Sequence, residues 1–251
     1  MKPLVFQTDF GLVDGAVSAM YGVAYCVDPN LRIHDLTHDI RPYNIWEASY
    51  RLIQTINYWP EGTVFVSVVD PGVGSDRKSV VVKTGSGRYI VTPDNGTLTH
   101  VIRMDGIAQV RIIDENINRL PNSGESYTFH GRDVYAYTGA RLASGIIDFE
   151  GVGPEIPVES LTKLPVVEPY LDEQGVHGTI DVLDVRFGIS GPISPVRCSG
   201  KPVWTMATGL ASPLNTTIRR YTAISSSMQK AFPRYMWVRR WSTLILWTAW
   251  P

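Results

Sequence analysis

Residues 63–69 make a strand candidate without a polar face. Their sequence, Thr-Val-Phe-Val-Ser-Val-Val, is an almost unbroken run of β-branched and apolar residues that ends at Asp70. A strand with one face in water alternates polar and apolar side chains, whereas a continuous run is typical of a strand buried on both faces of a parallel sheet. The run therefore predicts an α/β fold with helices packed against the sheet.

Strand and helix patterns alternate along the first hundred residues. The further strand candidates are residues 3–8, 32–36, 79–84 and 88–92, and the helix candidates are residues 15–27, 44–58 and, later in the chain, 134–143. The order strand, helix, strand, helix, strand predicts an open, mostly parallel sheet with flanking helices.

A segment rich in Gly, Pro and Val at 151–164 indicates a domain boundary. Beyond it, residues 174–187 alternate as a strand of a second, all-β unit. We predict an α/β domain over residues 1–164, the start of a smaller all-β domain over 165–188, and an aberrant tail over 189–251.

Composition excludes several classes of protein. The chain of 251 residues has a formal net charge of -1 and two cysteines, too few for a disulfide framework or a thiolate zinc site. No stretch approaches the roughly 20 apolar residues of a membrane span, and an acid at position 9 comes too early for a signal peptide. The sequence also lacks the GxGxxG, GxxxxGK[ST] and HExxH motifs. We expect a soluble cytoplasmic protein without a metal or dinucleotide cofactor.

Two acids follow strand candidates of the predicted sheet. Asp9 comes directly after residues 3–8, and Asp70 comes directly after the central run. Ligands of open α/β sheets bind beyond the carboxyl ends of the strands, where the chain order reverses. Asp9 could accept two hydrogen bonds from a ribose diol there, or it could cap the following helix, and the residues favour neither alternative.

The loop after the central run contains a potential ion pair. Gly72 and Gly74 allow a backbone to approach a ligand closely, and Pro71 fixes the turn. The spacing of Asp70 and Arg77 lets the loop fold back and pair them. A surface ion pair is the alternative, but a carboxylate at the end of so apolar a strand is costly to desolvate, which favours a functional pair.

One of the five histidines stands apart from the others. His130, beside a glycine at the start of the third predicted helix, is sterically able to reach into a cleft. We expect structural roles for the other four, although His38 lies at a strand end where a role in a site is also possible; these four are His34, His38, His100 and His177.

Six motifs occur in a fixed order along the chain. They are Thr-Asp-Phe-Gly at 8–11, Asp-Leu-Thr-His at 35–38, Pro-Glu-Gly-Thr-Val at 60–64, Val-Val-Asp-Pro-Gly-Val-Gly at 68–74, Pro-Asp-Asn-Gly at 93–96 and Thr-Phe-His-Gly-Arg-Asp at 128–133. Together they resemble the S-adenosylmethionine hydroxide adenosyltransferase family, relatives of the bacterial fluorinating and chlorinating enzymes. The resemblance extends from residue 4 to residue 187.

The resemblance implies hydrolysis of S-adenosylmethionine to adenosine and methionine, without a metal or redox cofactor. In the family an Asp, an Arg and a His hold and activate a water or hydroxide that displaces the sulfonium at C5′ of the ribose. Asp70, Arg77 and His130 match these catalytic positions.

The resemblance also implies positions for substrate binding: Asp9 for the ribose diol, Tyr43 as the pocket aromatic, and Asn95, Asp184 and Phe187, of which the last two match positions for the methionine amine and the adenosine. The family's pocket lies between one subunit's first domain and a neighbour's β-barrel, which implies a homotrimer with S-adenosylmethionine as its small-molecule partner.

Two rival functions remain open. A halide-using adenosyltransferase is one, although the halogenating relatives lack the Asp, Arg and His set found here. An inactive nucleoside-binding remnant is the other, because the end of the chain departs from the family.

The charge of the chain changes after Phe187. Residues 1–187 contain 24 acidic and 15 basic residues, whereas residues 188–251 contain no acidic residue, eight basic residues and five of the seven tryptophans. The basic residues are scattered among Ser, Thr and Pro without helical spacing, so we expect neither nucleic acid nor a membrane as a partner. The family's motif Asp-x-x-Phe-Gly-Asn, followed by Trp-Thr-Asn-Ile, begins at Asp184 and breaks off after Gly188.

A shift of the reading frame accounts for this break. Residues 188–194 can be encoded by codons that, read from the third base, give Asn-Ile-Trp-Thr-Asn-Ile-Ser and restore the motif. Residues 237–251 read in the same way can give a segment similar to the end of the family's barrel. We hypothesise a one-base deletion near codon 188, and we expect the barrel domain of this chain to be disrupted.

Overall fold

The structure, a computed structural model, describes residues 1–125, 128–167 and 181, together with short strands between residues 170 and 248. The chain divides into two compact units, Met1–Leu164 and Pro165–Pro251.

A seven-stranded sheet forms the centre of the first unit. Its strands are β1 (Leu4–Thr8), β2 (Ile33–Thr37), β3 (Val64–Val68), β4 (Ser79–Thr84), β5 (Tyr89–Pro93), β6 (Ile107–Ile112) and β7 (Glu155–Ile156). They lie in the order β2-β1-β3-β5-β4-β6-β7. β1 pairs in parallel with β2 and β3, and β3 pairs in parallel with β5, whereas β4 and β7 run antiparallel to their neighbours. The prediction of an open, mostly parallel sheet is confirmed.

Helices cover both faces of this sheet. They are α1 (Ala16–Val27), α2 (Ile45–Ile56), α3 (Thr99–Met104) and α4 (Tyr137–Ser144), with a π-helical segment (Gly131–Ala136) directly before α4 and 3-10 turns at Glu150–Val152 and Val158–Ser160. α1 packs with α4 and the π-helical segment, and α2 packs with α3. The two pairs lie on opposite faces, because they contribute to separate apolar cores.

β3 corresponds to the strand candidate without a polar face. All five of its residues are buried. Val64 and Val66 belong to the core on the side of α1 and α4, and Phe65 belongs to the core on the side of α2 and α3. Burying such a side chain contributes about 1.5–3 kcal/mol, so β3 joins two apolar layers into one unit.

Close packing of α4 on β3 depends on Gly139. A Cβ atom built at this position would lie 2.4 Å from Val66 Cγ2, closer than real carbon atoms approach. The absence of a side chain therefore lets the helix lie directly on the sheet.

The third predicted helix, over residues 134–143, begins earlier in the structure. The π-helical segment starts at Gly131, so that the helical chain follows His130 immediately. Wide π-turns inside helices are rare and occur often at functional sites. α3 and β6 were not predicted: the six residues of α3 are too few to establish a helical period, whereas β6 is as long as β4 and was missed.

The described part of the second unit consists of antiparallel strand pairs. Their strands are β8 (Tyr170–Asp172), β9 (Gly175–His177), β10 (Val182–Asp184), β11 (Gly188–Ser190), β12 (Pro195–Cys198), β13 (Lys201–Trp204), β14 (Tyr235–Arg240) and β15 (Thr243–Thr248). These strands form four separate pairs, β8-β9, β10-β11, β12-β13 and β14-β15. The single strand predicted over 174–187 is instead two strands, β9 and β10, with different partners. The disrupted barrel stays a prediction.

Two predicted substrate-binding residues fall in this unit. Asp184 ends β10 opposite Gly188, while Phe187 lies outside the described residues. In the described part of the chain, no helix is long and apolar enough to cross a membrane.

Candidate active site at the carboxyl ends of β1 and β3

The two predicted acids lie at the point where the order of the strands reverses. From β1 the chain moves to β2 on one side of the sheet and then to β3 on the other. Thr8 and Val68, the last residues of β1 and β3, are paired in register. Asp9 and Asp70 follow these residues, so both carboxylates emerge at the crevice where open α/β sheets bind their ligands.

Asp70 and Arg77 form a bidentate ion pair. Arg77 Nε donates to Asp70 Oδ1 at 2.7 Å, and Arg77 Nη2 donates to Asp70 Oδ2. Their side chains are only 5% and 11% exposed. The alternative of a surface ion pair is therefore wrong. A paired and desolvated carboxylate at this edge has a fixed orientation, as a site for positioned chemistry requires.

A second layer of hydrogen bonds holds Arg77. Its Nη1 donates to Ser79 Oγ at 3.1 Å, and Ser79 Oγ lies 3.1 Å from the hydroxyl of Tyr135. The guanidinium carbon lies 5.6 Å from the centre of the Tyr135 ring. Burial raises the pKa of the Tyr135 phenol, so this group stays neutral and acts as a hydrogen-bonding support. Sequence reasoning missed both Ser79 and Tyr135, because a hydroxyl inside a strand or helix pattern carries no signal of its own.

His130 is buried at the start of the π-helical segment, with 6% of its surface exposed. Its Nε2 atom lies 3.9 Å from Glu115 Oε2, and the same carboxylate oxygen accepts a hydrogen bond of 2.6 Å from Arg119 Nη1. Glu115 was not predicted, since it lies in a loop without a recognisable motif.

A cavity of about 110 Å³ lies between these groups. Asp70 and His130 both line it, with the rings of Phe10 and Phe129 among the apolar lining. Arg77 donates to Asp70 and to Ser79, and its part in holding a water stays a prediction. The geometry provides a small space in which one carboxylate and one imidazole can contact the same molecule.

Asp9 is held by the backbone of Tyr43. The Tyr43 N–H donates to Asp9 Oδ2 at 2.7 Å. Burial raises the pKa of the Asp9 carboxyl, this hydrogen bond opposes the rise, and the negative charge of Asp70 adds to it. The alternative that Asp9 caps the following helix is wrong, because the N-cap of α1 is Gly15 and the N–H of Ala16, at the start of the helix, donates to Asp14 instead.

The remaining predicted residues differ in their surroundings. Tyr43 has a positive φ of 64°, and 70% of its surface is exposed. Asn95 braces the strand end that carries Asp70, since its Nδ2 donates to the Val69 carbonyl at 2.8 Å and its Oδ1 accepts from Thr97 Oγ1 at 2.8 Å. Roles in substrate binding stay predictions for both residues.

Three other histidines differ in their exposure and in their contacts. His34 is exposed and lies beside Trp59, and His100 is buried with its Nδ1 at 2.9 Å from Ser49 Oγ. His38 is buried next to Thr8, at the end of β1 that precedes Asp9.

Known proteins are similar to this chain in sequence. Residues 4–153 match the family model described as SAM hydroxide adenosyltransferase N-terminal domain. An (R)-S-adenosyl-L-methionine hydrolase of Thermus thermophilus is 39% identical over 75% of this chain and 72% of its own length. A protein of that name from Methanocaldococcus jannaschii is 43% identical over 55% of this chain, but the match spans only 52% of that relative.

More distant and structural relatives agree as well. A fluorinase of Nocardia brasiliensis is 26% identical over 74% of this chain and 69% of its own length. The crystal structure of an uncharacterized conserved protein from Thermotoga maritima, 36% identical, superposes with a TM-score of 0.71 over 76% of this chain and 71% of its own. With its sheet, its motifs and a family model that covers more than half of its length, the chain belongs to the SAM hydroxide adenosyltransferase family.

Proposed function

We propose that this site hydrolyses S-adenosyl-L-methionine to adenosine and L-methionine. The observation that carries the proposal is the cavity lined by both Asp70 and His130, with Asp70 fixed by Arg77. Relatives of 37–43% identity that are named (R)-S-adenosyl-L-methionine hydrolases support it.

The chemistry requires an activated water more than a strong acid. The water oxygen forms a bond to C5′ of the ribose while the bond from C5′ to sulfur breaks, and methionine leaves as a neutral thioether. The water must lose a proton to become the hydroxyl of adenosine. Positioned bases typically contribute a factor of about 10²–10⁴ to such steps.

Asp70 and His130 are suited to different parts of this task. Both oxygens of Asp70 already accept hydrogen bonds from Arg77, and the lone pairs that remain can orient a water. The imidazole of His130 can take the proton. Alignment of the water with the breaking bond contributes further, because reacting groups held in place no longer need to meet by diffusion.

Asp9 is proposed to bind the ribose diol. Its Oδ2 atom is fixed by the Tyr43 backbone, which sets the direction of the carboxylate. Tyr43, Asn95, Asp184 and Phe187 are proposed to complete the pocket for adenosine and methionine. No metal or redox cofactor is needed when a neutral thioether leaves, so we expect activity to persist in EDTA.

We further propose a cytoplasmic homotrimer in which a neighbour covers the site. Four apolar side chains on the loops around the cavity are 42–103% exposed: Leu12, Val13, Tyr43 and Val73. Exposed apolar residues gathered around a polar cavity mark a surface that becomes covered in an assembly.

Hydrolysis by water is distinguished from halide transfer by its product. The Asp70 carboxylate repels a halide ion in the cavity, whereas a water can donate a hydrogen bond to it. S-adenosylmethionine is incubated with the unaltered chain and with a version whose reading frame is restored at codon 188, in buffers with and without chloride or fluoride. We expect adenosine and methionine in both buffers.

The same assay can overturn the proposal. A halogenated nucleoside would assign the site to halide transfer. Binding of adenosine without any turnover, in both versions of the chain, would identify a nucleoside-binding remnant instead.

A further inference from the structure

His38 is a buried residue for which the proposed reaction has no use. It is 4% exposed and follows β2, next to the end of β1. Both of its ring nitrogens have partners: Nδ1 lies 2.8 Å from Thr8 Oγ1, and Nε2 lies 3.0 Å from Asp35 Oδ1. The Tyr21 hydroxyl donates to the same Asp35 oxygen.

The chemistry of these partners sets the hydrogen-bond directions for a neutral His38 ring. A carboxylate only accepts, so His38 Nε2 carries the proton and donates it to Asp35. In the neutral ring Nδ1 is then an acceptor, and the Thr8 hydroxyl donates to it. The Phe10 N–H donates in turn to Thr8 Oγ1 at 3.2 Å. A continuous chain of hydrogen bonds thus leads from Asp35 to the loop after β1.

His38 holds that loop by its backbone as well. Its carbonyl oxygen accepts a hydrogen bond of 2.8 Å from the Gly11 N–H. Phe10 and Gly11, the two residues that follow Asp9, are therefore both tied to His38, one through Thr8 and one directly. Asp9 lies between Thr8 and these attachment points, and Tyr43 fixes its carboxylate from the other side.

We propose that His38, together with Thr8 and Asp35, is a positioning unit that sets the Asp9 carboxylate for the ribose diol. The inference rests on the proposed function, in which Asp9 binds that diol. His38 does not touch the substrate. Its effect passes through the loop, so it changes recognition of the ribose hydroxyls without changing the acids and bases around the cavity.

The test compares two nucleosides that differ by one hydroxyl. Adenosine and 2′-deoxyadenosine are titrated calorimetrically into the full-length chain, in the unaltered and the frame-restored versions. A hydrogen bond from a hydroxyl to a well-placed carboxylate predicts a preference for adenosine of roughly tenfold or more. H38A removes both ring nitrogens and cannot bridge Thr8 and Asp35, and T8V removes the hydroxyl without changing the volume. We expect both variants to reduce the preference to less than about threefold.

Two further variants separate positioning from general stability. T8S keeps the hydroxyl and should restore the preference that T8V loses. H34A makes the same change at His34, an exposed histidine of β2, and should leave the preference intact. If H38A and T8V lower the unfolding temperature but keep the preference for adenosine, His38 is only a structural residue and the proposal is overturned.

The result also distinguishes this inference from the proposed reaction. A chain that prefers adenosine, loses the preference in H38A and releases no methionine would refute hydrolysis and support the positioning unit. An unsubstituted chain that binds the two nucleosides equally, or binds neither, would overturn the role of Asp9 and the positioning unit with it.

Discussion

The first 164 residues and the last 64 residues differ in how their charged side chains are matched. In the first region cations meet carboxylates that are near in sequence, as Arg119 does with Glu115, and remote in sequence, as Arg111 does with Glu155 across 44 residues. In the last region eight basic residues have no acidic residue among them. The net charge of -1 is thus the sum of two unlike parts, and composition averaged over the whole chain conceals the difference.

Strand pairing shows the same contrast. β1 pairs with β3, and the residues matched in register are 60 positions apart, such as Leu4 and Val64. In the described part of the second unit the two strands of each pair are neighbours along the chain, and β12 and β13 are separated by two residues. Long-range pairing requires two distant segments to fit each other, so it marks a sequence selected for one fold.

Restoring the reading frame is the strongest way to break this comparison. One base inserted in codon 188 would place an Asn after Phe187-Gly188 and return acidic residues to the end of the chain. The substrate would regain the contacts of the second domain, and we expect adenosine release to rise by on the order of 10³-fold or more. Product analysis by chromatography measures the difference.

Two controls accompany this experiment. DNA sequencing of the source gene across codons 180–195 shows whether the base is missing in the gene itself. A frame-restored chain with unchanged activity, or an unaltered chain with full activity, would show that the last region functions as written and would refute the deletion hypothesis.

Removing the Asp70 carboxylate tests how much the first region depends on its ion pairs. Asp70→Asn leaves the guanidinium of Arg77, which is 11% exposed, without its carboxylate partner. We expect adenosine release to fall by about 10²-fold, because the water loses its orienting carboxylate. Breaking a buried pair also destabilises the fold by about 3 kcal/mol. Turnover and denaturant unfolding measure the two effects separately.

Asp76→Asn is the matched control for this variant. Asp76 lies in the same loop and is exposed. The substitution should change the unfolding free energy by less than about 0.5 kcal/mol and leave turnover as it is. Equal losses in both variants would mean that the loop, rather than the ion pair, supports the activity.

The fold of the first region could largely be predicted from its sequence. The run over residues 63–69 has no polar face, so it predicted a strand buried on both sides, as β3 is. Helical spacing located α1 and α2 to within two residues at each end. The π-helical start at Gly131 could not be predicted, because a widened turn depends on what the helix packs against rather than on a period in the sequence.

The site was predictable only in part. An apolar strand followed by charges indicates Asp70 and Arg77, and the structure brings them together. Ser79 and Glu115 gave no comparable signal, and His38 gave only its place at a strand end, since their contacts arise from tertiary packing. That Arg77 also donates to Ser79 is not contained in the spacing of Asp70 and Arg77.

Two helical glycines of the first region test how closely its helices pack, with a smaller expected effect. Gly139→Ala forces a methyl group against Val66 and should destabilise the fold by about 1–3 kcal/mol. A Cβ atom added at Gly22 in α1 would meet no atom within 4 Å, so Gly22→Ala should stabilise by about 0.5–1 kcal/mol. Thermal unfolding of both variants measures the difference, and two changes of the same sign would contradict the close packing of α4 on β3.

The smallest effect concerns Asp9, which is held by a backbone N–H while burial and the charge of Asp70 raise the pKa of its carboxyl. An acid whose pKa is higher in the folded state opposes folding when it is ionised in both states, and has no such effect once it is protonated in both. Asp9→Asn should therefore stabilise the protein at neutral pH, by less than about 1 kcal/mol because the group is only half-buried and is screened by solvent. The gain should shrink as the pH falls through the raised pKa and vanish below the ordinary value for Asp. Urea unfolding between pH 3 and pH 8 checks this, and a variant that is less stable than the unsubstituted chain at neutral pH would show that the carboxylate has a favourable partner. In that outcome the Asp9 carboxylate stabilises the fold. The expected gain instead means that Asp9 is retained for its ligand at a cost in stability.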